Sequence, residues 1–345
     1  MAERCLQPPP EALYNTGMYV VTGGAGFIGS NILYGLEKAG VGPLVVIDRM
    51  GDKDKWRNVA KRALFDIIHP DQAADFLESR ANQVRAVIHM GAISATTETD
   101  VDKIIDNNFR LSMYLWNWCS ANNTRLIYAS SAATYGDGAQ GFDDNCNAME
   151  LAKLRPMNPY GWSKHLFDRR VASMTTHGDL HPPQWVGLKF FNVYGPNEYH
   201  KSDMQSVIAK TYRRASNNEP AILFRSHNAN YDDGEQLRDF IWVGDCVDIV
   251  LWFLDNAHVN GLFNCGTGKA RSFADLARAV YSAANKQFSV QYVDTPLKIR
   301  EKYQYFTEAN ISQLRDVNYN RPFTELEEGV TKYVQDFLNT SDPFL

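Results

Sequence analysis

A glycine-rich segment between an apolar run and an amphipathic run constrains the fold more than any other feature. Residues 22–29 read TGGAGFIG, in which Gly23, Gly26 and Gly29 follow a G-x-x-G-x-x-G spacing. Glycines at a strand-to-helix turn permit a tight turn, close approach of a pyrophosphate to the backbone, and close packing of the helix on the strand. The free N–H groups at the N-terminus of the helix then face the phosphates. The segment therefore predicts a dinucleotide-binding βαβ unit.

Short apolar runs alternate with helical patterns along the first half of the chain. The predicted strands are Met18–Thr22, Leu44–Ile47, Ala86–His89, Arg125–Ala129 and Trp185–Phe190. The predicted helices are Ser30–Ala39, Gln72–Ala81, Val101–Asn122 and Trp162–Ser173. This alternation predicts an α/β fold with a Rossmann-type doubly wound parallel sheet.

After Phe191 the alternation loosens, which indicates a smaller substrate-binding domain interleaved with the first. We expect residues 18–191 and about 239–266 to form the NAD(P)-binding domain, and about 192–238 and 267–345 the substrate-binding domain. Within them we predict a helix at Met204–Ser216, and late strands returning to the main sheet at Asp239–Val243 and Leu262–Asn264. Residues 1–17 contain three consecutive prolines and no apolar signal core, so we predict a disordered lead-in.

Composition narrows the class of protein. In this chain of 345 residues, 44 % are hydrophobic and 22 % charged, which is ordinary for a soluble globular protein. The net charge is −5 and Lys and Arg are scattered, so neither a nucleic-acid nor a membrane surface is expected. The five cysteines are widely spaced without a C-x-x-C pair, which argues against a disulfide framework or a metal site. They fit a reducing cytoplasm.

An acidic residue and two cations follow the second predicted strand. Asp48 ends this strand, where an acidic group would bind the adenosine ribose. Its carboxylate favours the free 2′-hydroxyl of NAD, whereas Arg49 and the nearby Lys55 would suit the 2′-phosphate of NADP. The residues themselves leave the choice between NADP and NAD open.

A tyrosine and a lysine with helical spacing form the second motif. Tyr160 and Lys164 lie four residues apart, so they share one face of a helix. An adjacent ammonium favours the phenolate, and the pair can therefore serve as an acid–base group. Ser131 follows the strand Arg125–Ala129, at the end of the sheet where such folds bind ligands. Hydroxyl, phenol and ammonium together predict a hydride-transfer site acting on a sugar carbon.

The motifs TGGAGFIG, SSAATYG and YGWSK, in this order, resemble the extended short-chain dehydrogenases that act on nucleotide sugars. Five further segments resemble one branch of that family, the ADP-L-glycero-D-manno-heptose 6-epimerases of lipopolysaccharide inner-core synthesis. They are GAISATTETD (91–100), DNN (106–108), KFFNVYGPNEYHK (189–201), LRDFIWVGD (237–245) and YQYFT (303–307). The resemblance implies NADP as cofactor, ADP-heptose as substrate, and a homo-oligomer, specifically a pentamer.

The resemblance also implies the cofactor contacts. They are Phe27, Ile28, Asp48, Arg49, Lys55, Met90, Gly91, Ala92, Ile93, Ser94, Asn107 and Val193, with Lys164 beside the nicotinamide. Met90 stands where relatives commonly carry an acidic residue, which puts that contact in doubt.

Two bases on opposite faces of the sugar are implied by the same resemblance: Tyr160 and Lys201. Inversion by redox removes hydride from one face and returns it to the other, and each epimer presents its hydroxyl proton in a different place, so one base suits each epimer. Lys201 would need a lowered pKa to accept a proton, and we expect partial burial beside Lys164 or the cofactor to lower it.

The implied substrate contacts are Ser131, Asn192, Asp203, Lys210, Phe224, Arg238 and Tyr303. Arg238 is suited to the ADP pyrophosphate, and its rival role is an ion pair with Asp239. Asp203 and Lys210 depart from the family's usual Ser and His. The stretch 225–236 also departs from the family, because it begins with Arg-Ser-His and is long and polar.

Three other functions remain to be weighed against C6 epimerisation of ADP-D-glycero-β-D-manno-heptose. A UDP-hexose 4-epimerase would share Ser131, Tyr160 and Lys164 but would not need Lys201. A 4,6-dehydratase is disfavoured, because the acid pair it needs after the strand is replaced here by Ala132 and Ala133. A non-catalytic nucleotide-sensing protein would be expected to have lost the tyrosine or the lysine.

Overall fold

A seven-stranded parallel sheet forms the centre of the computed structural model, which describes residues 17–51, 54–300 and 303–345. In spatial order its strands are β10 (Gly261–Cys265), β6 (Trp185–Phe190), β5 (Arg125–Ser131), β4 (Val84–His89), β1 (Met18–Thr22), β2 (Leu44–Ile47) and β3 (Asp66–Ile68). Every neighbouring pair is parallel. The strand order reverses between β1 and β4, and ligands bind at such a reversal in doubly wound sheets. The predicted fold class is confirmed.

Helices cover both faces of this sheet. They are α1 (Phe27–Lys38), α2 (Ala73–Ser79), α3 (Val101–Ile104), α4 (Leu111–Ala121), α5 (Ala148–Leu151), α6 (Pro159–His177), α7 (Val207–Ser216), α8 (Val243–Asp255), α9 (Phe273–Ala283), α10 (Leu297–Arg300), α11 (Ser312–Asp316) and α12 (Leu326–Tyr333). A π-helical turn, Ile105–Arg110, joins α3 to α4, and another, Val334–Leu338, extends α12.

Strand β1 shows why the central strands read as continuous apolar runs. Met18 and Val20 belong to the core on one face of the sheet, and Tyr19 and Val21 to the core on the other. Helices α4 and α6 close the first core, and α1 and α8 close the second. Because both faces are buried, side chains pointing either way must be apolar.

Two small sheets lie outside the central one. β7 (Asn192–Tyr194), β9 (Leu237–Trp242) and β11 (Ala270–Ser272) form the first, and β8 (Ala221–Phe224) and β12 (Val290–Val293) the second. The segment Leu262–Asn264 returns to the central sheet in β10, as predicted. Asp239–Val243 does not, because β9 pairs with β7 and β11 instead. An apolar run in the sequence therefore predicts a buried strand, but it does not predict which sheet the strand joins.

The predicted disordered lead-in, residues 1–17, falls almost entirely outside the described part of the chain. Residues 1–16 are not described, and Gly17 stands immediately before β1.

Of the cysteines within the described ranges, three are buried and Cys146 is half-buried, and all four are free thiols. None of the helices in the described part of the chain has the length and apolar character needed to cross a bilayer.

Candidate active site

The glycine turn after β1 is held too tightly for larger residues. Gly23 has a φ of +65°, and a Cβ built on it would lie 2.6 Å from the Gly91 backbone after β4. A Cβ on Gly29 would lie 2.3 Å from the Gly23 carbonyl oxygen. The turn therefore packs directly against the next strand, and α1 begins at Phe27 with its N-terminus at the reversal point. This backbone cradle fits a dinucleotide pyrophosphate.

A cavity of about 760 Å³ opens beside this turn. Most of the residues predicted to hold the cofactor line it: Gly23, Gly26, Phe27, Ile28, Gly29, Asp48, Lys55, Met90, Gly91, Ala92, Ile93, Ser94, Lys164 and Val193. The four residues predicted to be catalytic, Ser131, Tyr160, Lys164 and Lys201, line the same cavity, as does Asn192. Residues as far apart in the sequence as Gly23 and Lys201 thus meet in one space.

Asp48 and its neighbours stand at the outer end of β2. The Asp48 Oδ2 atom accepts the Ala25 N–H at 2.9 Å, which ties it to the glycine turn. Its Oδ1 atom accepts the Lys55 ammonium at 2.6 Å. The Arg49 guanidinium turns away to Asp71, at 2.9 Å, and does not belong to the cavity lining. The structure therefore places Asp48 and Lys55 at the cavity and Arg49 outside it.

Ser131, Tyr160 and Lys164 meet where β5 ends and α6 begins. The Tyr160 phenol is hydrogen-bonded to the Ser131 side chain. Lys164 is one helical turn further along α6 and only 3 % exposed. Burial lowers the pKa of Lys164 to about 8, against an opposing effect of Asp168. The site therefore combines a phenol, a hydroxyl and an ammonium of lowered pKa.

The pKa of Tyr160 differs from the sequence-based expectation. Burial raises it, the hydrogen bond from Ser131 opposes this, and the Asp168 carboxylate raises it further. The expectation assigned a lowering to Lys164, but burial lowers the pKa of Lys164 to about 8, so this amine has lost its positive charge at the pH at which the phenol would ionise. The phenol of Tyr160 is therefore protonated near pH 7 in this structure.

A buried ion pair behind the site was missed by the sequence reasoning. Asp168 and Lys189 are both fully buried, with their charged atoms 2.8 Å apart. Asp168 also accepts the Ser130 hydroxyl at 2.6 Å, next to Ser131. The spacing of 160, 164 and 168 puts Asp168 on the face of α6 that carries Tyr160 and Lys164, and this periodicity was available from the sequence.

Lys201 reaches the cavity from a short 3₁₀ helix, Tyr199–Met204. Its side chain is half-buried, and its ammonium lies 5.2 Å from the centre of the Phe27 ring. Burial lowers the pKa of Lys201, and the charge of Glu198 opposes that shift. The direction is the one that a base requires. Burial causes it, as predicted, but Lys164 is not among the groups that shift the pKa of Lys201.

Two asparagines tie the Lys201 loop to the glycine turn. Asn58 donates to the Ala25 carbonyl oxygen at 2.9 Å and to the Asn197 carbonyl oxygen at 3.1 Å. Asn197 in turn donates to the Ser30 hydroxyl at 3.0 Å. Both asparagines are fully or almost fully buried. Sequence reasoning missed them because no spacing rule links position 58 to position 197.

The two asparagines of the DNN segment have different surroundings. Asn107, the expected cofactor contact, donates to the Lys103 carbonyl oxygen and lies outside the cavity lining. Asn108 is fully buried and pairs with the Ile93 backbone in both directions, at 2.8 and 3.0 Å. It also donates to the Ser163 hydroxyl on α6 at 3.0 Å. Asn108 therefore fixes the cavity wall at Ile93.

Arg238, Phe224 and Tyr303 form a cluster next to the cavity. The Arg238 guanidinium lies 5.3 Å from the Tyr303 ring centre and 5.6 Å from that of Phe273, a cavity residue. The rings of Phe224 and Tyr303 are 6.1 Å apart. Burial lowers the pKa of Arg238, and Tyr303 opposes this.

The rival role for Arg238 is not seen. The Asp239 carboxylate accepts hydrogen bonds from Thr267, Gly268 and Ala309. Within the described ranges, no salt bridge reaches Arg238. Its guanidinium donates instead to the Leu237 and Gln304 carbonyl oxygens, and the remaining N–H groups are suited to an anionic ligand.

Of the two remaining predicted substrate contacts, only Lys210 can be placed relative to the cavity. Lys210 is exposed on α7 and is not among the lining residues. The side chain of Asp203 lies outside the described residues. The departing stretch after β8 folds over the Arg238 cluster, where the Tyr231 and Tyr305 rings are 5.3 Å apart.

Comparison with known proteins decides the family. The sequence model of the NAD dependent epimerase/dehydratase family matches residues 19–266, which include the glycine turn, the Ser131/Tyr160/Lys164 group and the Lys201 loop. This chain belongs to that family. Two relatives within it are named ADP-L-glycero-D-manno-heptose-6-epimerase. The Fusobacterium nucleatum protein is 46 % identical over 336 residues, and the Nitratidesulfovibrio vulgaris strain DP4 protein is 47 % identical over 330 residues. Both alignments cover 95 % of this chain and 100 % of the relative.

Solved structures of similar proteins share the architecture. The ADP-L-glycero-D-manno-heptose-6-epimerase of Helicobacter pylori superimposes with a TM-score of 0.73 at 25 % identity, covering 93 % of this chain and 96 % of that one. A UDP-N-acetylglucosamine 4-epimerase from Methanobrevibacter ruminantium gives 0.75 at 25 %, covering 92 % and 97 %. The epimerase/dehydratase fold is thus shared between enzymes named for different sugars and different carbons.

Proposed function

We propose that this chain converts ADP-D-glycero-β-D-manno-heptose to ADP-L-glycero-β-D-manno-heptose by oxidation and re-reduction at C6. The observation that carries the proposal is the presence of two proton-transferring side chains, Tyr160 and Lys201, in one cavity with the glycine turn. The names of relatives at 46 and 47 % identity support the choice of substrate. The product would serve lipopolysaccharide core synthesis.

The residues of the cavity have separable tasks in this reaction. A nicotinamide cofactor bound at the glycine turn would supply a reversible hydride acceptor. The Ser131 hydroxyl orients the sugar oxygen, and Lys164 holds positive charge beside it. Oxidation of C6 releases one hydroxyl proton, which one of Tyr160 and Lys201 accepts. When hydride returns to the opposite face of the C6 ketone, the other residue donates a proton to the new hydroxyl. The sugar thus regains the proton that it lost, and proton exchange with solvent returns Tyr160 and Lys201 to their starting states.

Substrate binding would use the cluster beside the cavity. Arg238 is buried among aromatic rings without a salt bridge in the described ranges, so its guanidinium suits the ADP pyrophosphate. Phe224 and Tyr303 flank it. Asn192 is exposed at the cavity and would contact the sugar.

NADP is the cofactor that we infer in preference to NAD. The Lys55 ammonium stands at the cavity and already neutralises Asp48, at 2.6 Å. A 2′-phosphate would therefore meet a cation there rather than an unpaired carboxylate. We also infer a homo-oligomer, a pentamer by family resemblance, which sedimentation velocity of the purified protein would test.

A UDP-hexose 4-epimerase is the second candidate, favoured by the superposition on the Methanobrevibacter ruminantium enzyme. It would use Ser131, Tyr160 and Lys164, and it gives no task to Lys201 in the cavity. Dehydration is disfavoured, because Ala132 and Ala133 follow Ser131 where an acid pair would be needed.

Incubation with ADP-D-glycero-β-D-manno-heptose, beside UDP-galactose in a parallel reaction, separates the two candidates. We expect proton NMR to show the C6 epimer in the first reaction and unchanged sugar in the second. Tyr160→Phe should lower turnover at least about 100-fold, the usual loss on removal of an acid–base group. Tyr212→Phe is the matched control, since its hydroxyl binds Asn339 away from the cavity. Conversion of UDP-galactose alone would replace the proposal by the 4-epimerase.

A further inference from the structure

A buried carboxylate in the cavity wall has no part in the reaction described above. Glu198 is 1 % exposed and lines the cavity. Its carboxylate accepts three hydrogen bonds: from the Ser206 backbone N–H at 2.5 Å, from the Ser206 hydroxyl at 2.6 Å, and from the Tyr333 hydroxyl at 2.9 Å. A buried charge with this many partners is held in one position.

These bonds close the loop that carries Lys201. Because Glu198 binds Ser206, the ends of the intervening 3₁₀ helix are drawn together, and Gln205 adds a bond to the Tyr199 carbonyl oxygen at 2.6 Å. Within the loop, the Lys201 N–H donates to the Glu198 carbonyl oxygen at 3.0 Å. Ser206 also caps α7, and Tyr333 ends α12. Glu198 therefore anchors the loop to two helices.

The charge of Glu198 also acts on Lys201. Burial raises the pKa of Glu198, its hydrogen bonds oppose this, and so does the positive charge of Lys201. In return, Glu198 raises the pKa of Lys201 against the effect of burial. The two side chains influence each other although no salt bridge joins them in the described structure.

Other groups near Lys201 come from several elements. Tyr199 and Tyr333 lie on the Glu198 side, and Lys55 and Asp48 lie beyond His200. Burial lowers the pKa of His200 to about 4, as do the charges of Lys55 and Lys201, so this imidazole is neutral near pH 7. Phe27 contributes an uncharged ring. Glu198 is thus the carboxylate acting on Lys201.

We propose that Glu198 is the positioning residue for Lys201, closing its loop and holding its ammonium at the cavity by charge, an inference that rests on the proposed two-base function. Glu198 lies in the segment KFFNVYGPNEYHK (189–201), in which the sequence predicts roles for Asn192, Val193 and Lys201 but none for Glu198. Its role follows from the combination of burial, cavity lining and the three hydrogen bonds.

A purely structural carboxylate offers a matched control. Asp245 on α8 is also buried and accepts the N–H and hydroxyl of one residue, Thr324, at 2.9 and 2.8 Å. It is absent from the cavity lining. Asp245→Asn therefore also removes a buried carboxylate that accepts two hydrogen bonds from one residue, but at a position away from Lys201.

The first test follows the Lys201 amine directly and needs no substrate. Lysines of the full-length protein are reductively methylated with ¹³C-formaldehyde, the Lys201 signal is assigned by its loss in Lys201→Arg, and its NMR titration is recorded. We expect Lys201 to titrate at lower pH in Glu198→Gln than in the wild type, because a carboxylate that favours the ammonium is gone. Asp245→Asn should leave the titration in place. Equal titration in wild type and Glu198→Gln would overturn the proposal.

The second test follows turnover of ADP-heptose against pH. We expect kcat of Glu198→Ala to fall at least about tenfold with a smaller change in KM, because a displaced base costs rate more than binding. Glu198→Gln can still accept the Ser206 N–H, so it should recover part of kcat. In the reaction direction in which Lys201 accepts the proton, the acid limb of the kcat–pH profile should lie at lower pH in Glu198→Gln than in the wild type.

The outcomes of the two tests are separable. An unaltered kcat and pH profile in both Glu198 variants would contradict the positioning role. If Glu198→Ala does not fold, Glu198→Gln decides alone. If the wild type does not convert ADP-heptose, the proposed function fails, and the Lys201 titration still decides whether Glu198 acts on Lys201.

Discussion

The carboxylate of Asp48 is largely engaged by its own surroundings. One oxygen accepts the Ala25 N–H of the glycine turn, and the other accepts both the Arg49 N–H at 2.7 Å and the Lys55 ammonium at 2.6 Å. A ribose 2′-hydroxyl would compete for the remaining acceptor capacity, whereas a 2′-phosphate would use the Lys55 cation. We therefore expect Lys55 to contribute as much as Asp48 to the choice between NADP and NAD.

Lys55→Ala tests this at the residue scale. Loss of one charge-assisted hydrogen bond of about 1.5–3 kcal/mol should weaken NADP binding roughly tenfold or more, with a smaller effect on NAD. Isothermal titration calorimetry with both cofactors measures the difference. Lys153→Ala, which removes a surface ion pair with Glu150 away from the cavity, is the control. Equal losses of affinity for NADP and NAD would show that Lys55 does not bind the 2′-phosphate.

Among the elements, the wall after β4 depends on one asparagine. Asn108→Ala removes two hydrogen bonds with the Ile93 backbone and one with Ser163, all of them buried or part-buried. We expect the free energy of unfolding to fall by about 2–4 kcal/mol, since each such bond contributes about 1 kcal/mol and the Ile93 groups lose their partner. Asn107→Ala, whose side chain bonds only to its own helix backbone at Lys103, should cost under about 1 kcal/mol. Urea denaturation measures the free energy of unfolding of both variants. Equal losses in the two would contradict the role of Asn108 in holding the cavity wall at Ile93.

The strands of the central sheet could be predicted because burial on both faces leaves a continuous apolar run, as in Leu44–Ile47. β3 escaped prediction, since two of its three residues are exposed. The cavity residues tied to the glycine or YGWSK motifs were also predictable. Asn108 and Glu198 were not, because Ile93 stands 15 residues before Asn108 and Tyr333 stands 135 residues after Glu198, and no helix or strand periodicity links such positions.

In the whole molecule, the last residues of the chain fasten together the two segments that flank the cavity. The Phe344 ring packs 4.2 Å from the Arg57 guanidinium carbon and 5.2 Å from the Tyr199 ring. The Lys61 ammonium donates to the Phe344 carbonyl oxygen at 2.6 Å. Lys55 and Lys201 lie on the two segments joined in this way.

Phe344→Ala should therefore lower stability by about 3 kcal/mol, as for other buried phenylalanines, and weaken both cofactor binding and turnover. Phe65→Ala is the matched control, because Phe65 is 41 % exposed and lies outside the cavity lining. Thermal unfolding with and without NADP provides the measurement. If the two variants lose the same stability and both keep wild-type affinity for NADP, the end of the chain does not support the site.

The central claim is that hydride leaves C6 and returns to C6 within one cavity while Tyr160 and Lys201 exchange the hydroxyl proton. The most direct measurement uses ADP-D-glycero-β-D-manno-heptose carrying deuterium at C6, with the product analysed by NMR and mass spectrometry. We predict the L-glycero epimer with its deuterium retained at C6. Loss of that deuterium to solvent, or the absence of any epimer at C6, would contradict the account.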